Sequence, residues 1–478
     1  MSTLEPSIDY YMSASEKAGL LKSKISAMDA WPLFVTQKNA DRAVLLYSGG
    51  DSAQARHHIL GLKPSQWFTA QCGHVEIGGI EAKKFKTQDP VSAAFEWIEA
   101  KKKRSEDLPF FFPGGAIGYF SYDVCSYIEK LPGFAKQHCV PEISLLCFDE
   151  LWVYDVQTQE LYFLWQSDSG LSLVQASDKF KRVLQLAPQL KKQFPMQAAP
   201  RKIEIHPLPL MTKTEFLKAV EHIKRYIANG DVFQVNLSQR YEITQNVSPL
   251  HVFQSLMDIN PSPFFSYFQT PEMTLVCGSP ERLVQRRGAH IQTRPIAGTR
   301  PRSADSVEDL RLSAELLLSE KERAEHVMLV DLERNDLGKV CQPGSVSVTE
   351  MMKVEQYSHV QHIVSNITGT LRPNISPEMI FRAMFPGGTI TGTPKVRAME
   401  IIAELEPISR GSYTGSLGWI GYNHNMDLNI IIRSLEWAQG RINVQVGAGI
   451  VADSDPQMEY GETIEKAKAM LSAVEWSG

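Results

Sequence analysis

The sequence of 478 residues predicts an α+β fold with large antiparallel β-sheets. Strand-like runs and helical repeats do not alternate as regular βαβ units, which argues against a Rossmann or barrel fold. The first part of the chain consists mainly of short strand-like runs bounded by turns. The second part, which follows a proline-rich stretch at 186–212, interleaves amphipathic helices with further strands.

In the first part, three segments have the composition of strands. The runs at 43–49 and 115–123 are rich in β-branched, aromatic and leucine residues. The segment 150–166 reads as two strands that form a hairpin around 157–159. This part is therefore predicted to be rich in antiparallel strand.

The stretch 186–212 contains five prolines, at positions 188, 195, 200, 207 and 209. Proline has no backbone N–H and a fixed φ, so this density excludes a continuous helix or a central strand. We interpret the stretch as a crossing between two lobes of the chain, 1–200 and 211–478.

The first helix after this crossing has clear end signals. Thr212 and Glu215 form a capping box, and Asn229-Gly230 supplies a C-terminal stop. Apolar residues recur between them at helical spacing. Further helices are predicted at 309–329, 376–384, 396–405 and 459–475, and strands at 273–277, 282–286, 290–293, 415–421, 427–435 and 441–447.

Composition excludes several classes of protein. The chain carries 49 Lys+Arg and 54 Asp+Glu residues, a net charge of −5, so it has no basic footprint for nucleic acid. It contains no run of 18 apolar residues, so no membrane span is expected. The six cysteines include no CxxC pair, which favours reduced thiols and a cytoplasmic protein.

Two helical segments carry carboxylates in patterns that suit a metal. Glu322, Glu325 and His326 share one helix face at i, i+3 and i+4. Carboxylate-rich sites favour Mg²⁺, although a solvated charged face has the same pattern. Glu462 and Lys466 are i, i+4 neighbours, and a surface ion pair is their simplest interpretation.

Two glycine-rich segments suit anion binding. Residues 447–452 match GxGxxA, but Asp453 and Pro456 prevent the helix that a dinucleotide site requires. Residues 385–395 contain three glycines and three threonines and lead into a helix. Backbone N–H groups of such segments can hold an anion. A nucleotide or phosphate binder therefore stays open at this point.

In their order along the chain, the motifs resemble the chorismate-utilising enzymes. The segments that carry the resemblance are QVNLSQR (234–240), GSPER (278–282), TRPIAGTRPR (293–302), EKERAEHVMLVDLERNDLG (320–338), FPGGTITGTPKVRAMEII (385–402) and GAGIVADSDPQMEYGETIEKA (447–467). The resemblance implies a two-lobed sandwich of antiparallel sheets flanked by helices, with chorismate as the substrate. A non-enzymatic binding module on this fold would require the loss of Glu281, Glu325 or Glu462, and all three are present.

The resemblance also implies roles for residues. Glu281 becomes the general acid that protonates the departing ring hydroxyl, and His362 an orienting or proton-transfer group. Glu325 and Glu462 become ligands of Mg²⁺. Lys466 is expected to pair with a substrate carboxylate rather than with Glu462. The full set of implied substrate-binding residues is Thr299, Thr391, Gly392, Tyr413, Arg433, Gly447, Gly449 and Lys466.

The branch of the family is predicted from single positions. Asn236, Gly388 and Ser416 favour amination to 4-amino-4-deoxychorismate, which serves p-aminobenzoate and folate synthesis. Ala297 favours the alternative, anthranilate formation, because members of the first branch often carry a lysine nucleophile at this position.

The sequence also bears on two partners, a glutamine amidotransferase subunit and tryptophan. Cys72 lacks the glycine context of a glutaminase nucleophile, so ammonia is expected from a separate glutamine amidotransferase subunit. Tyr47 stands where many relatives carry the glutamate of a tryptophan site, and tryptophan binding to the N-terminal lobe stays open.

Overall fold

The computed structural model describes residues 8–13, 18–25, 34, 41–49, 56–101, 108, 110–132, 140–166, 169–193, 202–357 and 360–477. Within these residues the chain forms two large antiparallel sheets flanked by α-helices. The α+β prediction is therefore confirmed. None of the described helices is both long and apolar enough to cross a membrane.

The first sheet has 13 described strands, and its two halves come from different parts of the chain. From one edge to the other they are β1 (Asp9–Met12), β2 (Ala18–Lys24), β11 (Glu160–Gln166), β10 (Glu150–Asp155), β4 (His57–Gly61), β3 (Ala43–Tyr47), β14 (Phe264–Gln269), β15 (Thr274–Ser279), β24 (Ser434–Ala438), β25 (Arg441–Ile450), β13 (Gln234–Ile243) and β12 (Leu208–Pro209), with β21 (Gly392–Thr393) also paired to β13.

The second sheet has 12 described strands. In order they are β18 (Ile296–Pro301), β20 (Val360–Thr370), β17 (His290–Arg294), β16 (Arg282–Arg287), β23 (Met426–Asn429), β22 (Ser416–Gly421), β8 (Gly115–Phe120), β9 (Ile143–Cys147), β5 (Gln66–Gln71), β6 (His74–Gly79) and β7 (Lys83–Lys86), with β19 (Ser347–Gln356) also paired to β20.

The described α-helices lie mainly in the second half of the chain. They are α1 (Pro90–Glu99), α2 (Leu173–Gln193), α3 (Lys213–Ala228), α4 (Pro249–Ile259), α5 (Ser306–Leu318), α6 (Glu320–Gly338), α7 (Pro377–Met384), α8 (Lys395–Leu405) and α9 (Pro456–Glu475). Short 3₁₀ turns occupy Tyr122–Tyr127 and Gly388–Ile390.

Both sheets continue from the first half of the chain into the second. In the first sheet β3 pairs with β14, and in the second β8 pairs with β22. The core is shared as well, since the rings of Phe120 and Phe381 lie 4.4 Å apart. Burial of such aromatic side chains is a main source of folding free energy. The segments 1–200 and 211–478 thus build common sheets; their division into lobes stays a prediction.

Local signals in the sequence placed several elements correctly. The hairpin at 150–166 is confirmed, with Asp155 opposite Glu160 and Gln159 at a φ of +55°. The capping box is confirmed at the start of α3, where Oγ1 of Thr212 accepts from the backbone N–H of Glu215 at 3.3 Å. Such caps satisfy N–H groups that have no partner inside the helix.

Three predicted boundaries were wrong. The single helix expected at 309–329 is two helices, because Ser319 adopts an extended conformation and caps α6. The strand expected at 427–435 is interrupted, since residues 430–433 leave the ladder between β23 and β24. The crossing expected from residue 186 starts later, as α2 continues to Gln193.

Candidate active site

Glu281 lies in the turn between β15 and β16 and is 4% exposed. Its backbone N–H donates to Oγ of Ser279 at 3.1 Å, and its carbonyl accepts from the N–H of Ile430 at 3.0 Å. Side-chain Oε1 is buried and has no hydrogen-bond partner among the described residues. Burial raises the pKa of Glu281 to about 8. The carboxyl is therefore protonated at neutral pH and can donate a proton.

A second buried carboxyl, Glu333 of α6, lies close enough to act on Glu281. Its Oε1 accepts from the N–H of Gly388 at 3.3 Å, and its Oε2 accepts from Oγ1 of Thr293 at 3.2 Å. Burial, reinforced by Asp336, raises the pKa of Glu333 to about 7. Two carboxyls in one dry region each favour the protonated form of the other. Sequence patterns did not single out Glu333.

Arg433 supplies the main cationic group opposite Glu281. Burial lowers the pKa of its guanidinium, and Glu281 acts in the opposite direction. No carboxylate of the described residues lies within ion-pair distance of Arg433. Its backbone is left-handed, with a φ of +52°, and its carbonyl accepts from the N–H of Gly278 at 3.0 Å. A buried guanidinium without a counter-ion is suited to an incoming carboxylate.

His362 on β20 orients that guanidinium. Nη2 of Arg433 lies 3.2 Å from Nε2 of His362, and Nδ1 of His362 lies 3.0 Å from the carbonyl of Gly298. Because an arginine N–H can only donate, Nε2 accepts and the proton belongs on Nδ1. Burial lowers the pKa of His362 to about 3. Of the two roles expected for this residue, this geometry favours orientation of the guanidinium, and both roles stay predictions.

Thr299 reaches the same histidine. Its Oγ1 lies 3.0 Å from Nδ1 of His362, next to Gly298. Gly298 has a φ of +63°, and a Cβ there would lie 2.9 Å from Oε2 of Glu322. A residue with a side chain would be disfavoured by both strain and space. Ala297, beside it, is 8% exposed and carries no nucleophile.

The neighbouring strands β13 and β25 bring the predicted glycines together with Tyr413. A Cβ on Gly447 would lie 2.4 Å from Oδ1 of Asn236 and 2.9 Å from Oη of Tyr413. Only glycine allows this approach. Because β25 is followed by a turn, no helix opens at residues 447–452 to bind a dinucleotide.

The glycine-rich segment 385–395 closes over β13. The carbonyl of Thr391 accepts from the N–H of Asn236 at 2.8 Å, while its Oγ1 donates to the carbonyl of Gly387 at 2.9 Å. Gly392 has a φ of +140°, and a Cβ there would lie 2.1 Å from the carbonyl of Gln234. The predicted pair Thr391 and Gly392 is thereby held against β13, which also pairs with β25.

The two predicted metal ligands face each other from α6 and α9. Oε1 of Glu325 accepts from Nε2 of Gln234 at 2.7 Å and lies 3.3 Å from the position of a Cβ on Gly449. Burial, with the charges of Glu322 and Glu462, raises the pKa of Glu325 to about 7. The described residues contain no cluster of three or more His, Cys, Asp or Glu side chains that could hold a metal.

Lys466 contacts two groups of the site, and its pairing with a substrate carboxylate stays a prediction. Its Nζ lies 2.7 Å from Oε1 of Glu462, so the i, i+4 ion pair that the helical spacing suggested is formed. The same Nζ donates to the carbonyl of Gly447 at 3.0 Å. This position also brings the positive charge near His362, where it helps to lower the pKa of the imidazole. Lys466 thereby links Glu462 to Gly447 and lies near His362.

Several buried polar side-chain atoms of this region have no hydrogen-bond partner in the described part of the chain. They belong to Gln234, Asn236, Glu281, Thr389 and Thr393, and atoms of the same kind also occur elsewhere in the described residues. Thr389 lies close enough to Glu281 to favour the charged form of its carboxyl. Most buried polar groups in proteins are hydrogen-bonded, so these atoms are available to a ligand. Gln234, Thr389 and Thr393 were not singled out from the sequence, although Gln234 and Asn236 alternate on one strand and so share a face.

A buried ion pair links the glycine-rich segment 385–395 to β13. Nη2 of Arg410 lies 2.6 Å from Oε1 of Glu406, and both side chains are almost fully buried. The guanidinium also donates to the carbonyls of Asn236 at 2.7 Å and Ile390 at 2.9 Å. Arg410 thus fixes β13 and the 3₁₀ turn relative to α8.

Comparison with known proteins agrees with this arrangement. The profile of the family described as chorismate binding enzyme matches residues 43–472. The chain belongs to this family. Aminodeoxychorismate synthase component 1 of Bacillus subtilis is 45% identical to it over 426 residues, 88% of this chain and 90% of the relative.

Two further relatives carry the name of the other branch. Anthranilate synthase component 1 of Thermus thermophilus is 38% identical over 454 residues, 93% of this chain and 95% of the relative. The crystal structure of anthranilate synthase component I from Streptococcus pneumoniae superposes with a TM-score of 0.75 at 33% identity, covering 88% of this chain and 93% of that one. The resemblance seen in the motifs is confirmed at the level of the family and the fold.

Proposed function

We propose that this protein aminates chorismate to 4-amino-4-deoxychorismate in a Mg²⁺-dependent reaction. The observation that carries the proposal is the pairing of a protonated buried acid, Glu281, with a buried cation that has no counter-ion, Arg433. Chorismate carries carboxylates that a guanidinium can bind and a ring hydroxyl that leaves only when protonated. The 45% identity to an aminodeoxychorismate synthase component 1 supports the choice of branch.

In this mechanism Glu281 supplies the proton and Arg433 the binding energy. Ammonia forms a bond to C4 of the ring, the bond from C4 to oxygen breaks, and the hydroxyl leaves as water with the proton of Glu281. The new ammonium group then gives up a proton, which restores the protonated form of Glu281. His362 holds Arg433 in place, and Tyr413, Thr299, Thr391 and the glycines line the bound ring. Ala297 offers no covalent intermediate, so attack by ammonia is direct.

Glu325 and Glu462 are the residues that would hold Mg²⁺. Burial raises the pKa of Glu325 to about 7, and the charges of Glu322 and Glu462 add to this shift; a bound divalent cation would offset both effects. Mg²⁺ is commonly bound by one or two carboxylates together with substrate oxygens and water, so two glutamates suffice. A bound Mg²⁺ would supply positive charge against a carboxylate of the substrate. Lys466, whose Nζ lies 2.7 Å from Oε1 of Glu462, would offer a second positive charge to the substrate.

The proposed ammonia source is a glutamine amidotransferase subunit. The relatives are named as first components, which implies a second one. With that partner, the reaction would take place in the cytoplasm and supply p-aminobenzoate for folate. Beside Tyr47 the structure has a cavity of about 70 Å³, which shares His57, Arg287 and Asp427 with a larger cavity, and the Tyr47 and His58 rings stack with their centroids 4.0 Å apart.

A second function, anthranilate formation, is favoured by Ala297 and by the anthranilate synthases among the relatives. The two are separated by incubating the protein with chorismate, Mg²⁺ and ammonium. Blue anthranilate fluorescence without any further enzyme would refute the first proposal. Formation of p-aminobenzoate only after addition of aminodeoxychorismate lyase would support it.

The experiment needs a variant that distinguishes catalysis from contamination. Glu281→Gln keeps the shape of the side chain and removes its proton, and should lower turnover by roughly 10²–10⁴-fold. Glu465→Gln, an exposed glutamate of α9 paired with Lys468, is the matched control and should behave like the wild type. Equal turnover by both variants would contradict the role of Glu281.

A further inference from the structure

A cavity with a volume of about 510 Å³ lies outside the candidate active site. None of the predicted site residues lines it. Its walls come from β16, β17, β19 and β23, together with Phe111 and the start of β4. Arg282, the residue after Glu281, faces this cavity. The volume lies in the usual range for small-molecule sites.

The lining is dominated by cations. Five basic side chains and three carboxylates contribute to it. Most of these cations are already neutralised: Arg282 pairs with Asp427 at 2.9 Å, and Arg294 with Glu350 at 2.8 Å. Lys353 also pairs with Glu350. Arg56 pairs with Asp155, which does not line the cavity.

Arg287 is the exception. Among the described residues it has no carboxylate within ion-pair distance. Its guanidinium lies over the rings of Phe111, at 4.6 Å, and Trp419, at 5.0 Å, which fix its orientation. Its Nη1 is buried and has no hydrogen-bond acceptor in the described part of the chain, and the same holds for Nε of Arg294. A buried cation without an acceptor is costly unless an anion completes it.

We propose that this cavity binds a small organic anion through the guanidinium of Arg287. The unpaired Nε–H of Arg294, whose two Nη groups pair with Glu350 and Glu355, is a second donor. The shared chemistry is a carboxylate or phosphate group, whose oxygens match the fork of a guanidinium. Gln285 and Gln292 also line the cavity, where Nε2 of Gln292 donates to Oε1 of Gln285 and Gln285 donates to Asp427. Oε1 of Gln292 is left to accept from the ligand. This inference is independent of the reaction catalysed at Glu281.

The competing explanation is that Arg287 only packs between two aromatic rings. Cation–π contacts of this kind stabilise proteins without any ligand. Arg287→Met keeps much of the packing and removes the charge and the donors. The packing role predicts a change in stability alone, whereas the binding role also predicts a loss of affinity.

The test is calorimetric titration of the full chain with citrate and, separately, with pyrophosphate, in Mg²⁺-free buffer of constant ionic strength. All variants carry Arg433→Met, which removes the carboxylate-binding guanidinium of the candidate active site. We expect saturable binding of one equivalent of at least one probe. Arg287→Met should weaken it by at least about tenfold. Arg311→Met, an exposed arginine of α5, is the matched control and should change nothing.

Each outcome is decisive. Binding of citrate alone assigns a carboxylate ligand, and binding of pyrophosphate alone a phosphate ligand. If neither probe saturates, or if Arg287→Met binds with unchanged affinity, the proposal is overturned. If Arg287→Met does not fold, Arg287→Lys keeps the charge but loses the planar fork. Binding at least about threefold weaker to this lysine variant, with an unchanged circular dichroism spectrum, supports the proposal, and equal binding overturns it.

Discussion

The burial of Glu281 predicts that Glu281→Gln stabilises the protein in a pH-dependent way. The side chain is 4% exposed, and burial raises its pKa from 4.5 to about 8. The folded protein therefore keeps a proton that the unfolded chain releases between these two pH values. Because the folded state binds the extra proton, the free energy of unfolding falls as pH rises through this window. Glutamine does not ionise, so the Glu281→Gln variant does not show this decrease in the free energy of unfolding.

The size of the effect follows from the shift. At pH 7 the unfolded glutamate is about 2.5 pH units above its pKa, which corresponds to about 3 kcal/mol. The pH-dependent difference in stability between Glu281→Gln and the wild type vanishes below about pH 4.5 and reaches its full size above about pH 8. An unfolding entropy of about 2.1 cal/mol/K per residue gives about 1 kcal/mol/K for a chain of this length. Glu281→Gln should thus raise Tm by about 3 °C at pH 7.

The assay is thermal unfolding of both proteins at pH 5, 6, 7 and 8. Subtracting the wild-type Tm at each pH cancels the contributions of other titrating groups, including Glu325. The gap between variant and wild type should widen steadily with pH. Glu465→Gln, whose side chain is exposed, should show no widening. A constant or shrinking gap for Glu281→Gln would refute the argument from burial.

Four further predictions concern the rest of the site. Glu325→Gln should raise the Mg²⁺ concentration for half-maximal activity by at least about tenfold, and an unchanged value would remove this residue from the metal site. Arg433→Lys should raise KM for chorismate by roughly 10–100-fold, since lysine cannot form the same fork; a change confined to kcat would contradict a binding role. The imidazole of His362 is neutral, because burial lowers its pKa to about 3; His362→Asn should therefore raise KM without removing any limb of the pH–rate profile between pH 6 and 7, and loss of such a limb would restore the proton-transfer role. Arg410→Met should lower the free energy of unfolding by about 3–5 kcal/mol, as measured by urea denaturation, because it leaves the charge of Glu406 buried, and Glu406→Gln should recover part of that loss.

The fold class and most elements followed from local patterns. The capping box at Thr212 and the hairpin at 150–166 depend on neighbouring residues and were predicted correctly. The break at Ser319 was missed because the apolar repeat continues across it, while the extended backbone is set by the packing of α5 and α6. The interruption at 430–433 was missed because 430–432 are three isoleucines, which are typical of a strand.

The site was predicted through its long motifs, while its internal connections needed coordinates. No pattern in the sequence joins His362 to Arg433, since the two are 71 positions apart. The charge that Glu333 adds near Glu281 also depends on the approach of α6 to the turn before β16. Helical spacing did predict the contact between Glu462 and Lys466, and the resemblance to the family displaced that simpler interpretation.

The pairing of β13 with β25 has a consequence for how the chain is made. Val235 of β13 lies opposite Ile450 of β25. The edge of β13 that pairs with β25 therefore stays unpaired until almost the entire chain has left the ribosome. An unpaired edge of apolar strand is a site of aggregation during synthesis. Truncations that end before Arg441 should therefore accumulate in the insoluble fraction, even though they retain Glu281, Glu325 and Arg433. In this protein Glu281 and Glu325 are translated more than 100 residues before β25, whereas Arg433 precedes that strand by only eight residues.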